Sequence, residues 1–147
     1  SGNPQVRIID VMLVEKDKLY FLTARGKNFY NELKLNSKVG IAGLNTLWQS
    51  IRINGLARHL LDREYWIDKM FMENPSMEIV YPGKSRCILE PFVIEDAEIE
   101  YFDLNKEPIS RKYFTIGNAI EKRKGYYISK NCIQCGKCAK DCPQKAI

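Results

Sequence analysis

The sequence predicts a mainly β fold with small helices: six antiparallel strands closed, or partly closed, into a barrel and followed by a short cysteine-bearing tail. Three observations point there. Runs rich in β-branched and aromatic residues are separated by short polar turns, as at Glu15-Lys-Asp-Lys18. Residues 49–60 alternate apolar and polar side chains with period two. Four cysteines then crowd between positions 132 and 142, in a stretch with no strand pattern of its own.

The elements follow in order. Val6 to Val14 and Leu19 to Thr23 read as two strands of a hairpin turning at Glu15–Lys18. From Gly26 to Leu35 the period changes, and Phe29, Tyr30 and Leu33 share one side of a short helix that Asn36-Ser37 ends. Val39 to Leu44 reads as a third strand. Gln49 to Leu60 is a longer fourth, in which Ile51, Ile53, Gly55 and Ala57 alternate with Arg52, Asn54 and Arg58. Gly55 marks a bulge or a close approach. Asp62 is placed as the N-cap of a helix reaching about Met72. Pro75 and Pro82 make the next segment irregular. Cys87 to Ile94 and Ala97 to Phe102 then read as two more strands, with Pro91 suited to an edge or a bulge. From Lys106 onward a connector is expected, helical over Ile116 to Lys124. The chain thus divides into a barrel over residues 1–115 and a basic connector with the cysteine motif over 116–147.

Length and composition set the outer limits. A chain of 147 residues suits one domain with a short appendage and buries roughly 70% of its unfolded surface. With 45% hydrophobic and 28% charged residues, and no apolar run near the roughly 18 residues a membrane span needs, the chain reads as soluble and cytoplasmic, with no membrane partner. The net charge of +5 is not evenly spread. Residues 116–147 hold seven of the 23 Lys and Arg but two of the 18 Asp and Glu, so the barrel is neutral and the tail carries all the excess. Solvated lysines, compensation of an anionic metal cluster and docking of a partner all account for that; a nucleic-acid partner is not expected. His59, the only histidine, has no nucleophile at readable spacing and is read as structural, and Glu95, Asp96, Glu98 and Glu100 as a solvated strand face.

Thr23-Ala-Arg-Gly-Lys-Asn28 lies between a strand and a helix, where backbone N–H groups and the helix dipole favour an anion. With its neighbours it forms an ordered series: Pro4-Gln-Val-Arg-Ile8, Leu19-Tyr-Phe-Leu-Thr23, Gly26-Lys27, Asn36-Ser-Lys-Val39 and Gln49-Ser-Ile-Arg-Ile-Asn-Gly55. This series resembles the flavin-binding split-barrel proteins, relatives of pyridoxamine 5'-phosphate oxidase and of the nitroimidazole-resistance flavoproteins, well over residues 4–60 and more loosely over 86–104. The resemblance implies a six-stranded, Greek-key-like split barrel that binds FMN at the interface of a homodimer. It implies that Arg7 pairs with the FMN phosphate and that the backbone of Ile8, Ile9, Asp10 and Val11 runs along the isoalloxazine edge. Leu22-Thr23 would bring the Thr23 hydroxyl to the phosphate, Lys27 would add charge there, and Gln49 and Ser50 would lie near the flavin or its ribityl chain. The alternatives are a rim salt bridge for Arg7 and a plain surface position for Lys27. Two departures stand out: the family strand that precedes Gly2-Asn3-Pro4 is missing, and so is the Arg-rich end that pyridoxamine phosphate oxidases use for substrate. Vitamin B6 chemistry is therefore not expected, and the chain reads as truncated at both ends.

Cys132, Cys135, Cys138 and Cys142 follow C-x2-C-x2-C-x3-C-P, which with Tyr127-Ile-Ser-Lys-Asn before it resembles half of a bacterial ferredoxin. Thiolates at this spacing on a tight loop can grip one face of a 4Fe-4S cluster, and Gly136 lets the backbone approach. Zinc usually takes two separated knuckles, and disulfides suit a secreted mini-protein. In two-cluster ferredoxins the fourth cysteine of such a run ligates the other cluster. So Cys142 folds back, or ligands follow Ile147, or a second chain supplies them; Cys87 is a more distant candidate ligand and reads first as a buried small residue on a strand. The expected function is an FMN-dependent oxidoreductase coupling the cluster to reduction of a small-molecule substrate, a nitro compound or quinone, with reduced ferredoxin or a nicotinamide as donor. The competing readings are a non-catalytic flavin/iron-sulfur electron carrier or redox sensor, and a split-barrel module without flavin. No side chain is assigned as a catalytic acid, base or nucleophile.

Overall fold

The computed structural model describes residues 3–120 and 128–142. Six strands, β1 (Leu13–Glu15), β2 (Lys18–Ala24), β3 (Lys38–Leu44), β4 (Gln49–His59), β5 (Leu89–Asp103) and β6 (Ser110–Ile116), form one antiparallel sheet. Its order is β1-β2-β5-β4-β3, and β6 pairs with β5. The helices are α1 (Asn28–Leu35), α2 (Arg63–Glu73), α3 (Met77–Val80) and, in the tail, α4 (Lys137–Lys140), with a 3₁₀ turn over Gly83–Ile88. None of the described helices is long and apolar enough to cross a membrane.

The long β5 organises the barrel. Its first half pairs with β2, from Leu19↔Ile94 to Ala24↔Leu89. Its second half pairs with β6, from Ala97↔Ile116 to Asp103↔Ser110. β4 lies along its other side throughout, with a register shift between Leu56 and Ala57 that leaves Glu95 as the extra residue of β5. Gly55 beside this bulge is there for space: a Cβ on it would stand 2.6 Å from Ala97 Cβ and 2.7 Å from the Asp96 carbonyl oxygen.

The first half of β5 is covered on both faces, which explains the unbroken run Leu89-Glu-Pro-Phe-Val-Ile94. Phe92 and Ile94 turn into the barrel with Phe21, Leu33, Ile53 and Ala57, while Val93 faces Met12, Tyr20, Leu60 and Met70. Phe21 and Phe92 stack at 5.5 Å between ring centroids. α1 packs Phe29, Tyr30 and Leu33 on the barrel interior, and α2 covers the outer face with Ile67, Met70 and Phe71. These apolar faces hold the fold at roughly 25 cal/mol per Å² removed from water.

Several expectations are corrected here. Only Leu13–Glu15 of the first expected strand is regular: the Met12 N–H still donates to the Tyr20 carbonyl of β2 at 2.8 Å, but residues 3–11 have no neighbouring strand among the described residues to complete a ladder. The two strands expected around Cys87–Ile94 and Ala97–Phe102 are one, bent at the Glu95 bulge rather than broken. Cys87 itself lies on the 3₁₀ turn and is exposed. Pro91 sits inside β5, but the Leu60 N–H donates to the Pro91 carbonyl, so the proline's ring nitrogen faces the end of β4 and no ladder bond to β2 is lost. The connector expected from Lys106 contains β6, and Ile116 closes that strand instead of opening a helix; residues 121–127 lie outside the described residues.

Candidate functional site

β2 ends at Ala24, the chain turns through Gly26 at φ +86°, and α1 starts after Lys27. The Lys27 N–H donates to the Ala24 carbonyl at 3.2 Å, closing the turn. Lys27 occupies the N-cap position but offers no side-chain cap, so the first-turn amides of Asn28 and Phe29 lack the partner that Ser, Thr or Asp would give. The Thr23 side chain is buried at the barrel end, opposite Glu90. Among the described residues nothing pairs with the Lys27 ammonium or the Thr23 hydroxyl. This start of α1 therefore has free donors and an uncommitted cation, a donor set that suits a phosphate.

The other cations near this turn are already engaged. Arg7 donates through Nη2 to both carboxylate oxygens of Glu32, at 2.8 and 2.9 Å, which fastens it to α1. Arg25 turns to Glu90, Nε to Oε1 at 3.0 Å. Of the neighbouring predicted residues, Ile9 packs on the barrel core, Ile8 is fully exposed, Asp10 and Val11 are exposed, and Leu22 is half-buried against α2 and Leu89.

Gln49 and Ser50 stand elsewhere. Thr23 pairs with Glu90 and Gln49 with Asp103, so the two predicted groups are separated by most of β5, on the order of 40 Å of strand length. One chain does not bring them together. Gln49 is also held locally: Nε2 donates to Asp103 Oδ2 at 3.1 Å, and Oε1 accepts from Asn45 Nδ2 at 2.8 Å. Asp103 is buried, and the Asn105 backbone N–H, followed by the Gln49 amide and the Tyr101 hydroxyl, holds its carboxyl below the usual range. Ser50 pairs with Leu44 and Phe102 and projects to the opposite face of β4 from Gln49. At this end Leu44, Leu47 and Trp48 remain exposed.

Three carboxylates were not anticipated as partners. Glu90 is buried; His59 Nε2 meets its Oε2 at 2.7 Å, and Arg25 and Arg63 approach Oε1 at 3.0 and 3.7 Å. The signal was present in the sequence, since a carboxylate set among Leu89, Pro91 and Phe92 needs partners once buried. His59 accordingly has a structural role. Glu95, read as part of a solvated face, instead accepts from Arg58 and Lys18 at the bulge, and those hydrogen bonds lower its pKa to about 2. Glu100 is likewise shared by Arg52 and Arg111 at 3.3 and 3.4 Å.

In the tail, Gln134 at φ +57° and Gly136 at φ +73° wind a tight loop through Cys132, Cys135 and Cys138, and α4 begins after Gly136. The Gln134 N–H donates to Cys132 Sγ at 3.4 Å, as backbone amides do toward thiolates that ligate metal. The thiols of Cys132, Cys135 and Cys138 are exposed and Cys142 is half-buried. Among the described residues no three metal-ligating side chains are gathered at binding distance. The donor chemistry and the loop turns fit an iron-sulfur cluster; the described positions of the thiols do not by themselves enclose one.

Known structures resemble the barrel. A NimC/NimA family protein from Clostridium acetobutylicum superposes with a TM-score of 0.69, is 22% identical, and is matched over 79% of this chain and 78% of its own. A protein from the same organism, related to general stress protein 26 of B. subtilis and described as of the pyridoxinephosphate oxidase family, gives a TM-score of 0.61 at 18% identity, over 78% of both chains. The barrel is a split barrel. Its similarity to these proteins is one of fold. Residues 126–147 match the family model of the 4Fe-4S binding domain. No curated protein sequence matches the chain significantly. In the split barrel, then, sequence similarity is faint while the fold persists, and in the tail a short motif is explicit in the sequence.

Proposed function

We propose that the chain is an FMN-dependent oxidoreductase whose split barrel holds the flavin phosphate at the start of α1 and whose cysteine tail holds a 4Fe-4S cluster. The observation that carries this reading is the uncapped start of α1, with Lys27 and the Thr23 hydroxyl left without partners among the described residues. A phosphate there accepts from the amides of Asn28 and Phe29 and from Thr23, and Lys27 supplies charge. Glu32 keeps Arg7 beside the same helix, where it can turn from the carboxylate to the ligand. Glu90 lies next to Thr23, and its pairing with Arg25, Arg63 and His59 keeps that carboxylate from repelling an anion.

Gln49 and Ser50 reach the same flavin only from a second subunit, since within one chain β5 keeps them apart. The apolar side chains left open at their end of the sheet, Leu44, Leu47 and Trp48, supply surface for such a homodimer. A flavin exchanges one or two electrons and an iron-sulfur cluster one, so together they connect a single-electron donor, ferredoxin, to two-electron reduction of a nitro compound or quinone.

The test is flavin affinity in an Arg7→Gln/Lys27→Glu protein, measured by fluorescence titration with FMN and with riboflavin. Loss of the phosphate contacts should weaken FMN binding by about tenfold or more and leave riboflavin binding unchanged. Equal FMN affinity in the variant and the parent overturns the phosphate assignment. Anaerobic turnover of a nitroaromatic by the parent protein then separates an enzyme from a carrier.

A further inference from the structure

The charge excess of residues 116–147 becomes specific where the tail is described. Lys130, Lys137 and Lys140 are exposed, and among the described residues none of them forms an ion pair. They are interleaved with the thiols: Lys130 lies just before Cys132, Lys137 between Cys135 and Cys138, and Lys140 between Cys138 and Cys142. Ile128 and Ile133, 65% and 83% exposed, stand in the same stretch. A thiolate-ligated cluster is an anion and offsets part of the positive charge. The sequence carries more cations on either side of the loop, at Lys122, Arg123, Lys124 and Lys145, so the offset is incomplete.

Exposed apolar side chains among cations, on the segment that carries the redox ligands, match a transient protein interface better than a phosphate-tracking groove, which needs no apolar contact. We infer that the cysteine tail is the docking surface for an acidic one-electron carrier protein, with Lys130, Lys137 and Lys140 drawing its carboxylates toward the cysteine loop. This rests on the reading that the cysteines hold a cluster. Charges so arranged set the encounter rate and orientation, and they lose their reach as salt shortens the screening length.

The probe is an acidic two-iron ferredoxin, with binding to the full chain measured by calorimetry and cluster content read from visible absorbance. Between about 20 mM and about 0.3 M salt the Debye length falls from roughly 20 Å to roughly 6 Å, and Kd should rise about tenfold or more. The Lys130→Glu/Lys137→Glu/Lys140→Glu variant should lose about tenfold in affinity at low salt, while the corresponding Arg variant keeps it. A Kd indifferent to salt, or equal in the Glu variant and the parent, overturns the proposal. So does a DNA duplex that binds more tightly than ferredoxin and is lost in the Glu variant. The two readings fail separately. Chain without cluster absorbance whose ferredoxin binding still depends on salt and on these lysines removes the cluster and keeps the docking surface. Chain with the absorbance but without that dependence does the reverse.

Discussion

In the barrel, Glu95 is shared by Lys18 and Arg58, Glu100 by Arg52 and Arg111, and Glu90 by Arg25, Arg63 and His59. In the tail, Lys130, Lys137 and Lys140 have no such partner among the described residues, and the thiols of Cys132, Cys135 and Cys138 are exposed. The first region pairs these carboxylates from within, because strands β2, β4 and β5 bring distant residues side by side. The second has too little apolar surface to bury and presents donors and charge outward. The difference teaches that strand pairing is what brings a cation to each carboxylate, and among the described residues of the tail there is no strand to do so.

The largest expected effect that breaks this contrast is in the core. Phe92→Ala removes a ring that stacks on Phe21 and touches Tyr30 and His59, and should cost about 3–5 kcal/mol in urea unfolding. Cys135→Ser should abolish the cluster absorbance yet shift barrel unfolding by less than about 0.5 kcal/mol. A large loss of barrel stability from Cys135→Ser would mean that the two regions fold as one.

Acid sharpens the comparison next. Glu95 titrates at about 2 in the folded chain against an ordinary value of 4.5, so its contribution is present above that ordinary value and disappears as pH falls through the folded one. The shift corresponds to at most about 3 kcal/mol, and to less once solvent screens the exposed Lys18 and Arg58. Thermal unfolding followed from pH 6 to pH 2 should show this slope in the parent and a shallower one in Glu95→Gln; identical slopes would contradict the assignment. The smallest effect lies at the candidate phosphate site. Glu32→Gln releases Arg7 from a half-exposed pair and should tighten FMN binding by a few-fold, since such pairs contribute about 0.2–1 kcal/mol. Weaker binding in Glu32→Gln would show that Glu32 positions Arg7 for the phosphate rather than competing with it.

How far the sequence could be read depended on how local the governing physics is. The period-two run from Gln49, the turn at Glu15–Lys18 and the helix over Phe29–Leu33 follow from neighbours a few residues apart, and the structure contains all three. Gly55 was legible as a close approach because glycine in a strand has few other uses. β6 was overlooked: Tyr113-Phe-Thr-Ile116 are strand formers, but Arg111 and Lys112 before them read as part of a basic connector, and the edge of β5 beyond Glu95 is what pairs them. The fusion of two expected strands into β5 has the same origin, as a bulge reads like a break until the neighbouring β4 is seen to run past it.

For the candidate site, the cysteine spacing was explicit in the sequence, while the turn at Thr23–Asn28 became a phosphate candidate only through its resemblance to the split-barrel series. Tertiary structure decided which charges remain available. It committed Arg7 to Glu32 and Arg25 to Glu90, left Lys27 open, and set Gln49 far from Thr23 along β5. Ion pairing and strand register join residues tens of positions apart, and no local pattern encodes which partner each one meets.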